Sequence, residues 1–159
     1  MIKNQRQSYS GGQRHQGFTL PELMVTLAVL AILVTIAVPS FNGLIATQKT
    51  RNASLDLSMA VTMARSEAVK QNTTVTMSTT SNWASGWVLM AGTTVIRNFG
   101  PYSGVAIVPS AGNTLSIGND GRPTAGMVTF QVNSTTSGQS STCVQVVGTG
   151  RVAVTSGAC

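Results

Sequence analysis

The sequence predicts an α+β protein in which one long N-terminal helix, half of it membrane-spanning, packs on a small antiparallel β-sheet or sandwich domain. Three observations predict it. Residues 23–38, LMVTLAVLAILVTIAV, are an uncharged apolar block. A helical repeat then continues to Asn72, and from Thr74 the periodicity changes to short β-like runs separated by turn residues. Composition agrees with one domain plus an anchor, since 159 residues suffice for little more. Only 9% of residues are charged, against about 25% in ordinary soluble domains, and 42% are hydrophobic, with a mean hydropathy of +0.20. This excludes a disordered chain and favours a membrane segment.

The first 17 residues carry Lys3, Arg6 and Arg14 and no apolar core. Counting Phe18 to Glu22, the following span is 21 residues, roughly 30 Å at about 1.5 Å per residue, enough to cross the hydrocarbon of a bilayer. Its polar members Thr26 and Thr35 can bond back to helix carbonyls. A secretory signal would be followed by a small-residue cleavage site, but here Pro39, Ser40, Phe41 and further helical pattern follow, so the segment reads as retained. Lys3, Arg6 and Arg14 before it, against Lys49 and Arg51 after it, favour a cytoplasmic N-terminus. Pro39 removes a backbone donor and is expected to kink the helix.

Gly17-Phe18-Thr19-Leu20-Pro21-Glu22-Leu23, after a short basic leader, resembles the processing motif of type IV pilins and type II secretion pseudopilins. The resemblance implies cleavage after Gly17 by a prepilin peptidase, N-methylation of Phe18, and assembly through Glu22, which pairs with the N-terminal amine of a neighbouring subunit. Physics agrees, because a carboxylate in hydrocarbon is costly unless paired. Pro21 departs from the aliphatic residue usual in the family, but a proline in the first helical turn forfeits no hydrogen bond.

At 100° per residue, the helix beyond Pro39 has two apolar faces: Leu55, Met59, Met63 and Val69 on one, and Leu57, Ala60, Val61, Ala64 and Ala68 opposite. Asp56 and Glu67 fall on one polar seam, Ser54, Ser58 and Arg65 on the other. Two apolar faces need two partners, the β domain and either neighbouring filament helices or more of the same fold. Residues 64–72, ARSEAVKQN, resemble the end of the long helix in the FimT/GspH branch of the family.

Candidate strands are 74–78, 87–90, 94–97, 105–108, 114–117, 127–132, 143–147 and 151–155; without intervening helices they imply antiparallel sheets. Asn119-Asp120-Gly121 is a turn, and Asn133 to Thr142, rich in Ser and Thr, reads as an exposed loop. Trp83 and Trp87, in NWASGW, also resemble the branch, where an aromatic flanks a strand against the helix. Cys143 and Cys159, close in sequence and with no CxxC pair, read as one disulfide in an oxidising compartment, the alternative being two buried thiols. Their 17-residue loop makes such a bond worth roughly 3 kcal/mol in the chain-entropy model.

Catalytic and cofactor readings fail on the residue inventory. The acids are Glu22, Asp56, Glu67 and Asp120, and the only histidine is His15 in the leader, so no nucleophile–imidazole pair, catalytic acid pair or metal cluster can be assembled. Gly148-Thr149-Gly150-Arg151-Val152-Ala153 fits G-x-G-x-x-A in form, but no helix can follow it in the six residues left. FimT-like pilins that take up DNA carry G-R-x-R near the C-terminus; here the second arginine is Ala153, which leaves Arg151 as the candidate DNA contact. Arg97 and Arg122 could join it only if the fold brings them near. Net charge is +6, and +3 once Lys3, Arg6 and Arg14 leave with the leader, too little for a strong polyanion binder.

The expected organisation is therefore a leader over 1–17, a helix over 18–72 with 18–38 in the membrane and later in the filament core, and a β domain over 73–159. The expected role is structural, a minor pilin or pseudopilin without cofactor or metal, in the complex that initiates a type IV pilus or a type II secretion pseudopilus. Its expected partners are other pilins, the prepilin peptidase and the inner membrane, and its destination is a periplasmic or extracellular filament. A DNA-binding pilin of natural transformation, in weak contact with DNA, is the alternative.

Overall fold

The computed structural model describes residues 17–136, 138 and 141–159, except for the side chains of Val38, Pro39 and Ser40. The leader cations and His15 lie outside the described residues. Helix α1 (Leu20–Gln71) runs 52 residues and is followed by eight strands. The Thr19 carbonyl accepts the first helical bond, from the Leu23 amide at 3.1 Å. Pro21 sits in the first turn, where an amide would have no helical partner. Helical structure continues through Pro39.

The chain divides into two compact units, one ending at Val38 and the other Pro39–Cys159. In the first, α1 holds a window with a mean hydropathy of 2.5 and no residue buried within the chain, long and apolar enough to cross a membrane. The hydroxyls of Thr26 and Thr35 donate to the carbonyls of Leu23 and Ile32 at 2.8 and 2.7 Å, bonds of the kind that offset the cost of placing a hydroxyl in an apolar medium.

In the second unit, Ala53, Leu57, Ala60, Val61, Ala64 and Ala68 form the buried face of α1; four alanines bring the helix backbone close to the strands. The helix ends with Asn72 in the left-handed region (φ 49°), the Thr73 amide on the Ala68 carbonyl and the Asn72 amide on that of Val69. This is a Schellman ending with asparagine in the usual glycine position.

The strands are β1 (Val75–Ser78), β2 (Trp87–Ala91), β3 (Thr94–Phe99), β4 (Val105–Pro109), β5 (Thr114–Ile117), β6 (Val128–Ser134), β7 (Thr142–Val146) and β8 (Val152–Ser156). They form two four-stranded sheets in the orders β3-β2-β1-β5 and β4-β6-β7-β8, antiparallel throughout. Alternate residues of β1, β2, β4 and β6 are buried and join α1 in one apolar core that includes Trp83, Trp87 and Phe130. Gly86 (φ 104°) and Gly100 (φ 85°) cross at the edge of this core: a Cβ on Gly86 would strike the Phe99 carbonyl, and one on Gly100 would lie 2.7 Å from the Gly86 Cα.

Several expectations are corrected. Asn133 and Ser134 belong to β6 and Thr142 to β7, so the loop is shorter than 133–142; residues 137, 139 and 140 of it lie outside the described residues. Ser54 is buried, not on a solvated seam, because its hydroxyl donates back to the Thr50 carbonyl at 2.9 Å. Met63, on the margin of its stripe, packs partly against the core. Arg151 precedes β8, in the turn from β7, rather than opening the strand.

Candidate functional site

Four places hold the residues that the sequence singled out. At the N-terminal end Gly17, Phe18 and Glu22 are all exposed, Phe18 by 83%. Glu22 lies in the first turn of α1, where the unpaired amides and the helix dipole favour a negative charge, and it makes no ion pair among the described residues.

The second place is the outer stripe of α1. Leu55, Met59 and Val69 are exposed by 51%, 49% and 55%, so the two-faced pattern resolves into one face filled by the β domain and one left open. The polar seam beside it is engaged. Asp56 accepts a hydrogen bond from the Tyr102 hydroxyl at 3.0 Å, while burial, and then the Asp56 carboxylate, push the Tyr102 phenol well above its ordinary pKa. Glu67 accepts from Gln71 at 2.6 Å and from Lys70 at 3.4 Å, which hold its carboxyl below the ordinary range. The Tyr102 ring lies near-parallel to Trp87, with centroids 5.1 Å apart; Phe99 does so at 5.6 Å, and the Arg97 guanidinium stands over Phe99 at 5.0 Å.

At the C-terminus Cys143 on β7 and Cys159 form a disulfide, with Cα atoms 5.0 Å apart. The Gln131 side-chain carbonyl accepts from the Cys159 amide at 2.6 Å, and its amide donates to the Gly157 carbonyl at 3.3 Å. One β6 side chain thus ties the tail across the sheet from both hydrogen-bonding ends.

The fourth place is a basic corner. Gly121 and Gly150 are turn glycines with φ of 76° and 78°. A Cβ on Gly150 would meet the Gly121 carbonyl, and the Arg65 side chain lies over both, 3.1 Å from a Cβ on Gly121 and 3.4 Å from one on Gly150. Arg122 and Arg151 follow these glycines, so the fold gathers Arg65, Arg122 and Arg151, with Asp120 3.9 Å from the Arg122 guanidinium. Arg97 is not among them; it sits on β3, at the opposite edge of its sheet from β5. Arg65 read as a solvated seam residue in the sequence. The two Gly-Arg dipeptides were the local signal for this corner, but their contact is a product of tertiary structure. Nor did anything local foretell the Asp56–Tyr102 or Gln131–Cys159 bonds, which join distant segments.

Among the described residues no group of three or more His, Cys, Asp or Glu could hold a metal ion. Asp56, Glu67 and Asp120 are each engaged by separate neighbours.

The comparisons with known proteins fit this geometry. Residues 12–38 match the prokaryotic N-terminal methylation motif. The structure resembles two crystal structures of the type IV minor pilin FimU of Pseudomonas aeruginosa strain PAO1. One gives a TM-score of 0.61 at 17% identity, covering 68% of this chain and 89% of that one. The other gives 0.58 at 18% identity, with 66% and 91% covered. This likeness shows the fold, a pilin's long helix on antiparallel sheets. No curated protein sequence matches the chain. Residues 53–150, well over half of the chain, match the family model described as type II transport protein GspH, and the chain belongs to that family.

Proposed function

We propose that this protein is a structural subunit of a type IV pilus or type II secretion pseudopilus, placed in the complex that initiates the filament. It is made as a precursor in the inner membrane with its N-terminus in the cytoplasm, cut after Gly17 by a prepilin peptidase, and N-methylated on Phe18. On this reading 1–17 is the leader, 18–72 the helix and 73–159 the β domain. The observation that carries it is the surface left without a partner: an apolar segment in which no residue is buried, and, in the second unit, exposed Leu55, Met59 and Val69. Neighbouring subunits supply the missing contacts, and the amine of one of them pairs with Glu22. The FimU structures, whose protein is a type IV minor pilin, support the minor-subunit role.

The test is the N-terminal peptide of the exported protein together with Glu22→Ala. The mature chain should begin at methylated Phe18, and Glu22→Ala should insert in the membrane yet fail to enter filaments. An intact leader on assembled protein, or normal incorporation of the variant, contradicts the reading.

A second reading, a DNA-binding pilin for natural transformation, draws support from the basic corner. Arg65 lies against Gly150 and Gly121, which precede Arg151 and Arg122, so these cations could add phosphate contacts that the missing second arginine of G-R-x-R does not supply. Its test is duplex DNA binding by the mature chain over a range of salt.

A further inference from the structure

We propose that the groove between α1 and β8 takes up an extended acidic segment of a different protein as an added strand beside β8.

Among the described residues strand β8 is a sheet edge, paired with β7 alone. The Val147 amide on the Arg151 carbonyl at 3.0 Å and the Gly157 amide on that of Ser141 at 2.8 Å fix the phase of the ladder. Ala153 and Thr155 therefore bond to β7, while Val152, Val154 and Ser156 direct their N–H and C=O groups away from it. Among the described residues these outward groups have no hydrogen-bond partner. Natural edges are usually blunted by lysine, proline or a bulge; Val152 to Ser156 contain neither lysine nor proline, and the β7–β8 register has no bulge.

Beside this edge lies a groove of about 470 Å³, lined on α1 by Thr50, Arg51, Ser54 and Leu55 and on the strand by Val154 and Ser156. It stays open because Thr50 and Ser54 are short and turn their hydroxyls back onto helix carbonyls. Its chemistry specifies the occupant. Leu55 and Val154 are 51% and 42% exposed, which suits apolar side chains at alternate positions of a strand. Arg51, the one charged residue lining it, makes no ion pair among the described residues and calls for a carboxylate.

A second copy of this chain is a poor donor of that carboxylate. Glu22, Asp56 and Glu67 are on α1, Asp120 is in a tight turn bonded to the Arg122 amide, and Cys159 is tied down by the disulfide and Gln131. No strand carries an acid. The segment must come from another protein; that it comes from another filament subunit rests on the subunit reading above.

The experiment uses the mature full chain, ¹⁵N-labelled in detergent micelles, with a blocked peptide Thr-Val-Glu-Val-Thr as probe and the same peptide with lysine for glutamate as control. Binding of the acidic peptide should slow hydrogen exchange at the Val152, Val154 and Ser156 amides, and the lysine peptide should bind about tenfold or more weakly. Arg51→Glu should reverse that preference. Val154→Pro should abolish binding, since it removes an outward donor but no β7–β8 bond. If that variant fails to fold, as the near-ultraviolet signal of Trp83 and Trp87 would show, the Arg51→Glu reversal decides alone. Unchanged exchange at these amides under millimolar peptide, or equal affinity for both peptides, overturns the proposal. Such a failure beside a Glu22→Ala assembly defect refutes docking and leaves the subunit reading standing; peptide binding with normal Glu22→Ala assembly does the reverse.

Discussion

Tyr102 joins the aromatic cluster to the helix: its ring lies along Trp87 and its hydroxyl donates to Asp56. Because the folded state holds the phenol's proton more tightly than the unfolded chain, the contribution of this group is complete below the ordinary tyrosine pKa of about 10 and fades as pH rises beyond it. Tyr102 is the only tyrosine after residue 17, so the mature chain reports on it directly. Absorbance at the phenolate band should stay flat past the ordinary titration range and then rise together with unfolding. Tyr102→Phe should lose some stability at neutral pH, as one hydrogen bond to a charged group is removed, and should lose less than the parent on going to alkaline pH. A phenolate that titrates normally in folded protein would show that the hydroxyl is free of Asp56. None of this was legible in the sequence, where Asp56 looked like one member of a solvated seam 46 positions from Tyr102.

At the level of elements the reading depended on period, and period is visible where one face of an element is buried. All eight candidate strands are present; β5 keeps its expected bounds, and the others shift at one or both ends by one or two residues where side-chain alternation outlasts or falls short of the hydrogen-bonded ladder. The helix faces were legible for the same reason. Ser54 was not, because a serine whose hydroxyl bonds its own helix behaves as a small packing residue. The two leucines on opposite faces separate stability from assembly. Leu57, fully buried, should lose about 2–5 kcal/mol on Leu57→Ala, in the range of cavity-forming core substitutions, read by chemical unfolding of the mature chain. Leu55→Ala should stay within about 0.5 kcal/mol and lower incorporation into filaments instead. Equal stability losses in the two variants would place Leu55 in a core of the chain's own and remove the outer stripe from the assembly surface.

For the whole molecule, sequence pattern implied antiparallel sheets but not their order, because pairing of β5 with β1 and of β4 with β6 is a choice among strands of similar composition. That order brings the turn holding Gly121 against the one holding Gly150 and so creates the basic corner, which no linear motif encodes. Its consequence for DNA can be bounded. Three arginines neutralising three phosphates give a log–log salt slope of about −2.7, or a loss of about 40-fold in affinity between 50 and 200 mM salt. Asp120, 3.9 Å from Arg122, offsets part of one cation, so the measured slope should lie between about −1.8 and −2.7. Once the proposed leader with Lys3, Arg6 and Arg14 is removed, the charge falls from +6 to +3 and adds little long-range attraction, so binding should be weak, indifferent to sequence and nearly lost at physiological salt. Arg151→Ala and Arg65→Ala should each reduce the slope by about one, whereas Arg97→Ala, on β3 at the opposite edge of the sheet from β5, should leave it unchanged. A micromolar or tighter complex at physiological salt that Arg151→Ala destroys would make DNA capture the main activity. A slope that ignores all three arginines would mean that the corner binds no phosphate.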